Sequence, residues 1–355
     1  MIDQTQFTNK WLQQVAKKHK ADPLLIEKVI RALLLLEGLV KQKLPLVFKG
    51  GTALMLHLDS TKRLSIDIDI ILSKEQPNME KMLDGVIKEQ GFTRWELQER
   101  QTRSVIQKEH YKLYYEPLYK TQKEEEYVLL DILIEEVQYA EIIQLPIQSR
   151  FAPQSGNPIQ VDISTTEDLL GDKLTAFAPN TTGIPYFKGD DSMSMEIIKQ
   201  LYDIGNLFDQ AEQLDIVKTT FRKFADAELA YRERDGLTGK DVLEDIYQTS
   251  LSIATRGNDG KANFDELQSG IQRIKAFIFS ENYHLEKAIT DASKAAYLAT
   301  VIKQDVTAIE KFTNPDQMKD WVIEEPLNTK LNKLKKSSPE AFFYWYKIFE
   351  VRTSV

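Results

Sequence analysis

Residues 63–72 read Arg63-Leu64-Ser65-Ile66-Asp67-Ile68-Asp69-Ile70-Ile71-Leu72. From Leu64 to Leu72 the pattern alternates with the period of a β-strand. That places Asp67 and Asp69 on one face and the isoleucines on the other. Two carboxylates side by side repel each other, and a bound cation relieves the repulsion. A hard cation such as Mg2+ takes oxygen ligands, usually one or two carboxylates together with phosphate oxygens. Two aspartates on an exposed edge strand satisfy the same pattern with no cation, so the neighbouring sequence has to decide.

Just upstream, Leu44-Pro45-Leu46-Val47-Phe48 is a short apolar strand leading into Lys49-Gly50-Gly51-Thr52-Ala53-Leu54, with a helix expected from Thr52 to Leu58. Glycines permit positive φ and close approach of the backbone to a phosphate. The unpaired N–H groups of a helix start suit an anion. Thr52 either caps this helix or donates to a phosphate. The stretch is neither a P-loop, because G-K-[ST] is missing, nor a dinucleotide-binding G-x-G-x-x-G. Downstream, Tyr127-Val128-Leu129-Leu130-Asp131-Ile132-Leu133-Ile134 sets one aspartate in an apolar run that reads as a buried central strand. An ionised carboxylate there is costly unless paired or bound to a metal. A salt-bridged core aspartate is one reading. The other is that this strand lies beside the first, so that Asp131 approaches Asp67 and Asp69 across the strands. Three such carboxylates can hold two cations, which activate an attacking hydroxyl and stabilise a phosphoryl group in transfer.

Around these pieces, residues 4–19 and 23–42 read as amphipathic helices, the second with Asp22 as N-cap and Pro23 at its first position. Residues 78–90 read as a helix, and 92–99, 103–116, 127–136 and 159–163 as strands, with Lys123 to Glu126 in a solvated hairpin loop. After Thr165 the periodicity is helical: 166–178, 195–208 and several helices beyond 213, with Pro179 to Ser194 as a long loop. Strands early and helices late give an α+β fold class: a mixed sheet flanked by helices, followed by a C-terminal helical domain. The expected domains are 1–210, catalytic, and 211–355, helical and forming part of the substrate cleft.

The chain has 355 residues and no cysteine, which excludes thiolate chemistry, and its four histidines show no zinc-ligand spacing. A net charge of -8 argues against a general nucleic-acid coat protein but leaves room for a local RNA grip. The N-terminus lacks the pattern of a signal peptide, and the apolar run Ala32 to Leu36 is too short to span a bilayer, so a cytoplasmic protein without membrane association is expected.

The order Lys49-Gly50-Gly51-Thr52-Ala53-Leu54, then Arg63-Leu64-Ser65-Ile66-Asp67-Ile68-Asp69, resembles the opening motif of the AbiEii/AbiGii-type nucleotidyltransferase toxins, of the DNA polymerase β-like superfamily. Asp131 matches the third aspartate of that pattern. Asp168-Leu169-Leu170-Gly171-Asp172-Lys173-Leu174-Thr175-Ala176-Phe177 is similar to the family's lysine motif, and Lys199-Gln200-Leu201-Tyr202-Asp203-Ile204 to its last motif. The resemblance covers roughly residues 30–210. It implies transfer of a nucleotide from a nucleoside triphosphate, with Mg2+ or Mn2+ as cofactor. Asp67, Asp69 and Asp131 would be the metal ligands, and Gly50, Gly51 and Thr52 the phosphate cradle. Lys173 would face the phosphates, and Asp203 would stand near the active site. Arg63 and Ser65 either contact phosphate or brace the strand, and Arg63 fits a surface ion pair equally well. Some relatives modify tRNA and are paired with a separate antitoxin, so an RNA acceptor and an antitoxin partner are expected. The chain departs from the pattern at Gln200, where the family often carries an aspartate, and at Gly189-Asp190-Asp191, which makes the preceding loop acidic. An acidic loop suits an RNA backbone poorly. A protein or small-molecule acceptor therefore stays open, as does a catalytically silent nucleotide- or partner-binding module on the same fold.

Residues 211–355 carry no motif with a chemical signature. Lys330, Lys333, Lys335 and Lys336 read as a solvated face, with contact to an acceptor RNA as the other option. The aromatic run from Phe342 to Tyr346 reads as helix packing in preference to a base-stacking platform.

Overall fold

The computed structural model describes residues 1–58, 63–76, 78–98, 107–119 and 123–353. Two compact units are formed, residues 1–165 with 277–281, and residues 166–276 with 282–355.

In the first unit, helices α1 (Asn9–His19) and α2 (Pro23–Lys41) precede strand β1 (Leu46–Lys49) and helix α3 (Gly50–His57). Strand β2 (Ile68–Leu72), helix α4 (Met79–Gln90) and strands β3 (Arg94–Leu97), β4 (Gln107–Tyr115), β5 (Glu126–Ile134), β6 (Ile142–Pro146) and β7 (Gln160–Ser164) follow. The strands make one mixed sheet in the order β3-β4-β5-β2-β1-β7-β6. The β2–β5 and β1–β7 pairs are parallel and the others antiparallel.

Helix α2 starts as its sequence dictates: Asp22 accepts the Leu24 N–H at 2.8 Å, with Pro23 at the first position. It is not amphipathic in the ordinary sense. Nearly every residue from Ile26 to Leu39 is buried, because the helix packs on α1, α4 and the sheet. Its internal charges are therefore committed to hydrogen bonds, as burial requires. Glu27 accepts the backbone N–H groups of Leu118 and Tyr119 at 2.8 and 3.0 Å. Glu37 accepts that of Ile2 at 2.9 Å, and Arg31 donates to the Gly91 carbonyl at 3.0 Å.

Strand β2 is shorter than the alternation from Leu64 suggests. Its first residues are drawn elsewhere: Arg63 forms an antiparallel bridge with Ile278, and the Leu64 N–H donates to the Phe277 carbonyl at 2.9 Å. Helix α3 begins two residues before the expected Thr52. Strand β6 was not expected. It lies at the sheet edge with Ile142 and Ile143 exposed, a place where a strand tolerates Pro146. Of the strand expected over 103–116, residues 103–106 lie outside the described residues, as does residue 99 of the strand expected over 92–99.

The second unit is helical: α5 (Thr166–Ala176), the two-residue strands β8 (Phe187–Lys188) and β9 (Asp191–Ser192), then α6 (Ser194–Gln210), α7 (Leu214–Tyr231), α8 (Gly239–Ala254), α9 (Phe264–Arg273), α10 (Leu285–Lys303), α11 (Leu334–Ser337) and α12 (Pro339–Thr353). Small residues let α10 sit at the centre, against α6, α8 and α12. Residues Phe342 to Trp345 of α12 are buried, and the rings of Phe208, Tyr297 and Tyr344 pack together there. The loop expected over Pro179 to Ser194 holds the β8–β9 hairpin, and its start is pinned to Asp245, which accepts from Asn180 N–H at 2.8 Å and from the Thr181 hydroxyl at 2.9 Å. In the lysine run, Lys330 pairs with Asp259, Lys335 caps the carbonyls of Lys319 and Trp321 at 2.6 and 2.9 Å, and Lys333 and Lys336 are exposed. Among the described residues, no helix is long and apolar enough to cross a membrane.

Candidate active site

The sheet brings one row of charged side chains together. Lys49 on β1 stands opposite Asp69 on β2, Asp69 opposite Asp131 on β5, and Asp131 opposite His110 on β4. Residues opposite each other in a ladder project from the same face, so Lys49, Asp69, Asp131 and His110 form a transverse line across four strands. Strand β5 alternates strictly over this stretch: Val128, Leu130 and Ile132 are buried, and Asp131 lies on the other, half-buried face. The fully buried strand expected around Asp131 is thus a half-buried one. The side chain of Asp131 keeps a third of its exposure, so the carboxylate keeps access to solvent and to a ligand.

Helix α3 meets this row at its first residue. Gly50 adopts φ +80°, and a Cβ added there would lie 2.7 Å from the Asp69 carboxyl carbon. Only glycine supplies both the backbone conformation and the space. A Cβ on Gly51 would lie 2.7 Å from a guanidinium nitrogen of Arg63 and 2.9 Å from the Ser65 hydroxyl. Arg63 and Ser65 therefore flank the start of α3. Arg63 is buried there, which removes the reading of an exposed surface ion pair. Thr52 is fully buried, and its hydroxyl donates to the Asp67 carbonyl, so it ties α3 to the residue just before β2. Lys49, the N-cap residue, makes no side-chain cap hydrogen bond to the helix start.

Asp69 and Asp131 in this row, and Asp67, partly buried just before β2, would offer a metal oxygen donors alone. Among the described residues, no three His, Asp or Glu side chains close into a ready-made metal cage. Magnesium does not require one, since it is typically held by one or two carboxylates plus substrate phosphates and water. Adjacent carboxylates on one open face, next to a glycine helix start, fit that demand.

In the second unit, Lys173 on α5 is buried. Its ammonium pairs with Asp203 Oδ2 at 3.1 Å and donates to Gln200 Oε1 at 2.9 Å. Asp203 is fully buried on α6, so the pair joins these two helices. The residue that departs from the expected pattern, Gln200, supplies a neutral acceptor, and Lys173 faces one carboxylate where the pattern offers two. Asp190 and Asp191 are exposed at the β8–β9 turn.

The row also holds Lys49, which opens the glycine motif but was not among the expected site residues, and His110, which no motif marked. Lys49 was legible in principle: it alternates with buried Phe48, which puts it on the half-buried face with Val47. His110 was not, because its partner lies 21 residues away and the β4 sequence carries no motif. His110 Nδ1 is 2.7 Å from Asp131 Oδ1.

No curated protein matches this chain. Solved structures similar to it include JHP933 from Helicobacter pylori, at 17% identity, covering 82% of this chain and 93% of that one with a TM-score of 0.42. Another H. pylori protein, provisionally assigned as a nucleotidyltransferase, matches at 17% identity, covering 82% of this chain and 96% of that one, also with a TM-score of 0.42. The profile of the nucleotidyl transferase AbiEii toxins of type IV toxin–antitoxin systems matches residues 34–317, most of the chain, which therefore belongs to this family of nucleotidyltransferases.

Proposed function

We propose that this nucleotidyltransferase is metal-dependent and moves a nucleotide from a nucleoside triphosphate to an RNA acceptor of tRNA type, in the cytoplasm, as a toxin held in check by a separate antitoxin protein. The observation that carries the reading is the placement of Asp69 and Asp131 side by side on one face of the sheet, against the start of a glycine-led helix. In the reaction an acceptor hydroxyl oxygen bonds to the α-phosphorus, the bridging α–β P–O bond breaks, and pyrophosphate leaves with its electron pair. Asp131 takes the hydroxyl proton. Asp67, Asp69 and Asp131 would hold Mg2+ or Mn2+, which would supply Lewis-acid stabilisation of the phosphate oxygens. The N–H groups of Gly50, Gly51 and Thr52 receive the phosphates, and Arg63 and Ser65 brace that turn. Lys173, held in place by Asp203, neutralises phosphate charge, since positioning and electrostatics dominate phosphoryl transfer. On this reading residues 1–210 act together as the catalytic domain, and residues 211–355 shape the substrate cleft.

The test is incubation of the protein with Mg2+, each labelled nucleoside triphosphate in turn and total cellular RNA, alongside Asp67→Asn and Asp69→Asn. Label on an RNA band with wild type, lowered by at least about a hundredfold in each variant, is the expected result. The exposed Asp190 and Asp191 favour a second reading, transfer to a protein or small molecule. Label on protein or a small molecule and never on RNA would select it. Metal-dependent nucleotide binding with no transfer to any acceptor would mark a silent binding module.

A further inference from the structure

The row across the sheet ends at His110, which the motif pattern does not contain. We infer that His110 is a positioning residue for nucleotidyl transfer: it fixes the rotamer of Asp131, leaving one carboxylate oxygen to face the reaction. The inference rests on the role of Asp131 proposed above.

Asp69 and Asp131 are direct neighbours across a parallel pair of strands, so their like charges push the two carboxylates apart. An aspartate side chain has a broad second torsion, and nothing in its own geometry holds it in the position a reaction needs. His110 supplies the restraint. It is the antiparallel partner of Asp131, it is largely buried, and its Nδ1 stands 2.7 Å from Oδ1. A carboxylate only accepts hydrogen bonds, so Nδ1 carries the proton and donates it. With Oδ1 engaged, Oδ2 is the oxygen that takes a cation or the acceptor proton. His110 is itself fixed from behind. Its carbonyl accepts the Gln98 N–H at 2.7 Å, and the next residue, Tyr111, packs edge-on against Trp95 at 5.9 Å and donates to Glu109. Groups that orient a reacting carboxylate in this way typically affect metal affinity or activity by about 10- to 100-fold.

The test uses the full chain with His110→Leu, which removes the donor, and His110→Asn, whose amide nitrogen reaches near the place of Nδ1. Transfer kinetics are read as separate kcat and KM for the nucleotide. Mn2+ binding is read by calorimetry, and thermal melting compares the folds. The expected result is a fall of about 10- to 100-fold in kcat or in Mn2+ affinity for His110→Leu, with nucleotide KM little changed and most of the loss recovered in His110→Asn at equal melting temperature. His110→Leu matching wild type in both kcat and Mn2+ affinity overturns the inference. Equal losses in Leu and Asn overturn it too, because they indicate packing alone. A wild type that binds Mn2+ but transfers nothing would retire the transfer reading, and the Mn2+ arm would still decide the role of His110. A wild type that neither binds Mn2+ nor transfers would remove both.

Discussion

Gly50 and Asp69 occupy each other's space. The glycine has φ +80° and no room for a methyl group beside the carboxyl carbon. Gly50→Ala must move either the helix start or the aspartate. We expect a loss of about 1–3 kcal/mol in urea unfolding, and transfer lower by about a hundredfold because reacting groups tolerate little displacement. Undiminished transfer in this variant would show that Asp69 has no fixed task. Lys173 and Asp203 form a buried pair, for which removing one partner is worse than removing both. Asp203→Asn is expected to cost about 3–5 kcal/mol, and the double variant Lys173→Met/Asp203→Leu less than the sum of its parts. A double-mutant cycle in urea measures this. At this scale the sequence revealed the groups whose chemistry is costly wherever they stand: aspartates in apolar runs and glycines at a turn. It left His110 unmarked, because its partner stands on the strand beside it, and it showed of Lys49 only the face it shares with Val47.

Elements were legible where a local rule sets them. Asp22 and Pro23 start α2, and the apolar run around Asp131 marks β5. They were illegible where a distant segment competes: residues 64–66 read as strand, but Leu64 is bonded to Phe277. The edge strand β6 lacks the buried face that makes alternation visible. The burial of α2 has a consequence for pH. Burial pushes the Glu37 carboxyl above its usual range, and the Ile2 N–H, Lys41 and the N-terminal ammonium only partly offset that. A carboxyl raised in the native state favours the protonated fold. Its contribution to stability is complete below the ordinary glutamate value and is lost as pH rises through the raised native value. Glu37→Gln keeps an oxygen for Ile2 and has no charge to bury. Its melting temperature should exceed that of wild type at pH 7.5, and the gap should shrink at pH 4.5. A gap that widens on acidification would refute this account.

The α+β class was legible for the whole molecule, since strands cluster before residue 165 and helices after it. Compactness draws its line at Thr166 and places α5 and α6, with Lys173 and Asp203, in the second unit, whereas the sequence reading set the boundary at residue 210. The return of residues 277–281 to the first unit had no signal in the sequence. There Phe279 packs edge-on against Phe151 at 5.3 Å, with the Arg150 guanidinium over its ring. Phe279→Ala should cost at least about 1 kcal/mol in urea unfolding, and it should lower transfer through the Arg63 segment that residues 277–278 hold. Unchanged stability would mean that this short segment is incidental.

That segment also bears on how the gene can be broken. A stop codon or frameshift anywhere before residue 277 deletes the partners of Arg63 and Leu64 along with the helices that follow. The stretch of the message for residues 1–165 therefore does not by itself encode a finished first unit. Any such lesion upstream of that codon is expected to leave a product whose first unit cannot be completed, and a gene fragment without its middle and end would encode only an unfinished fold.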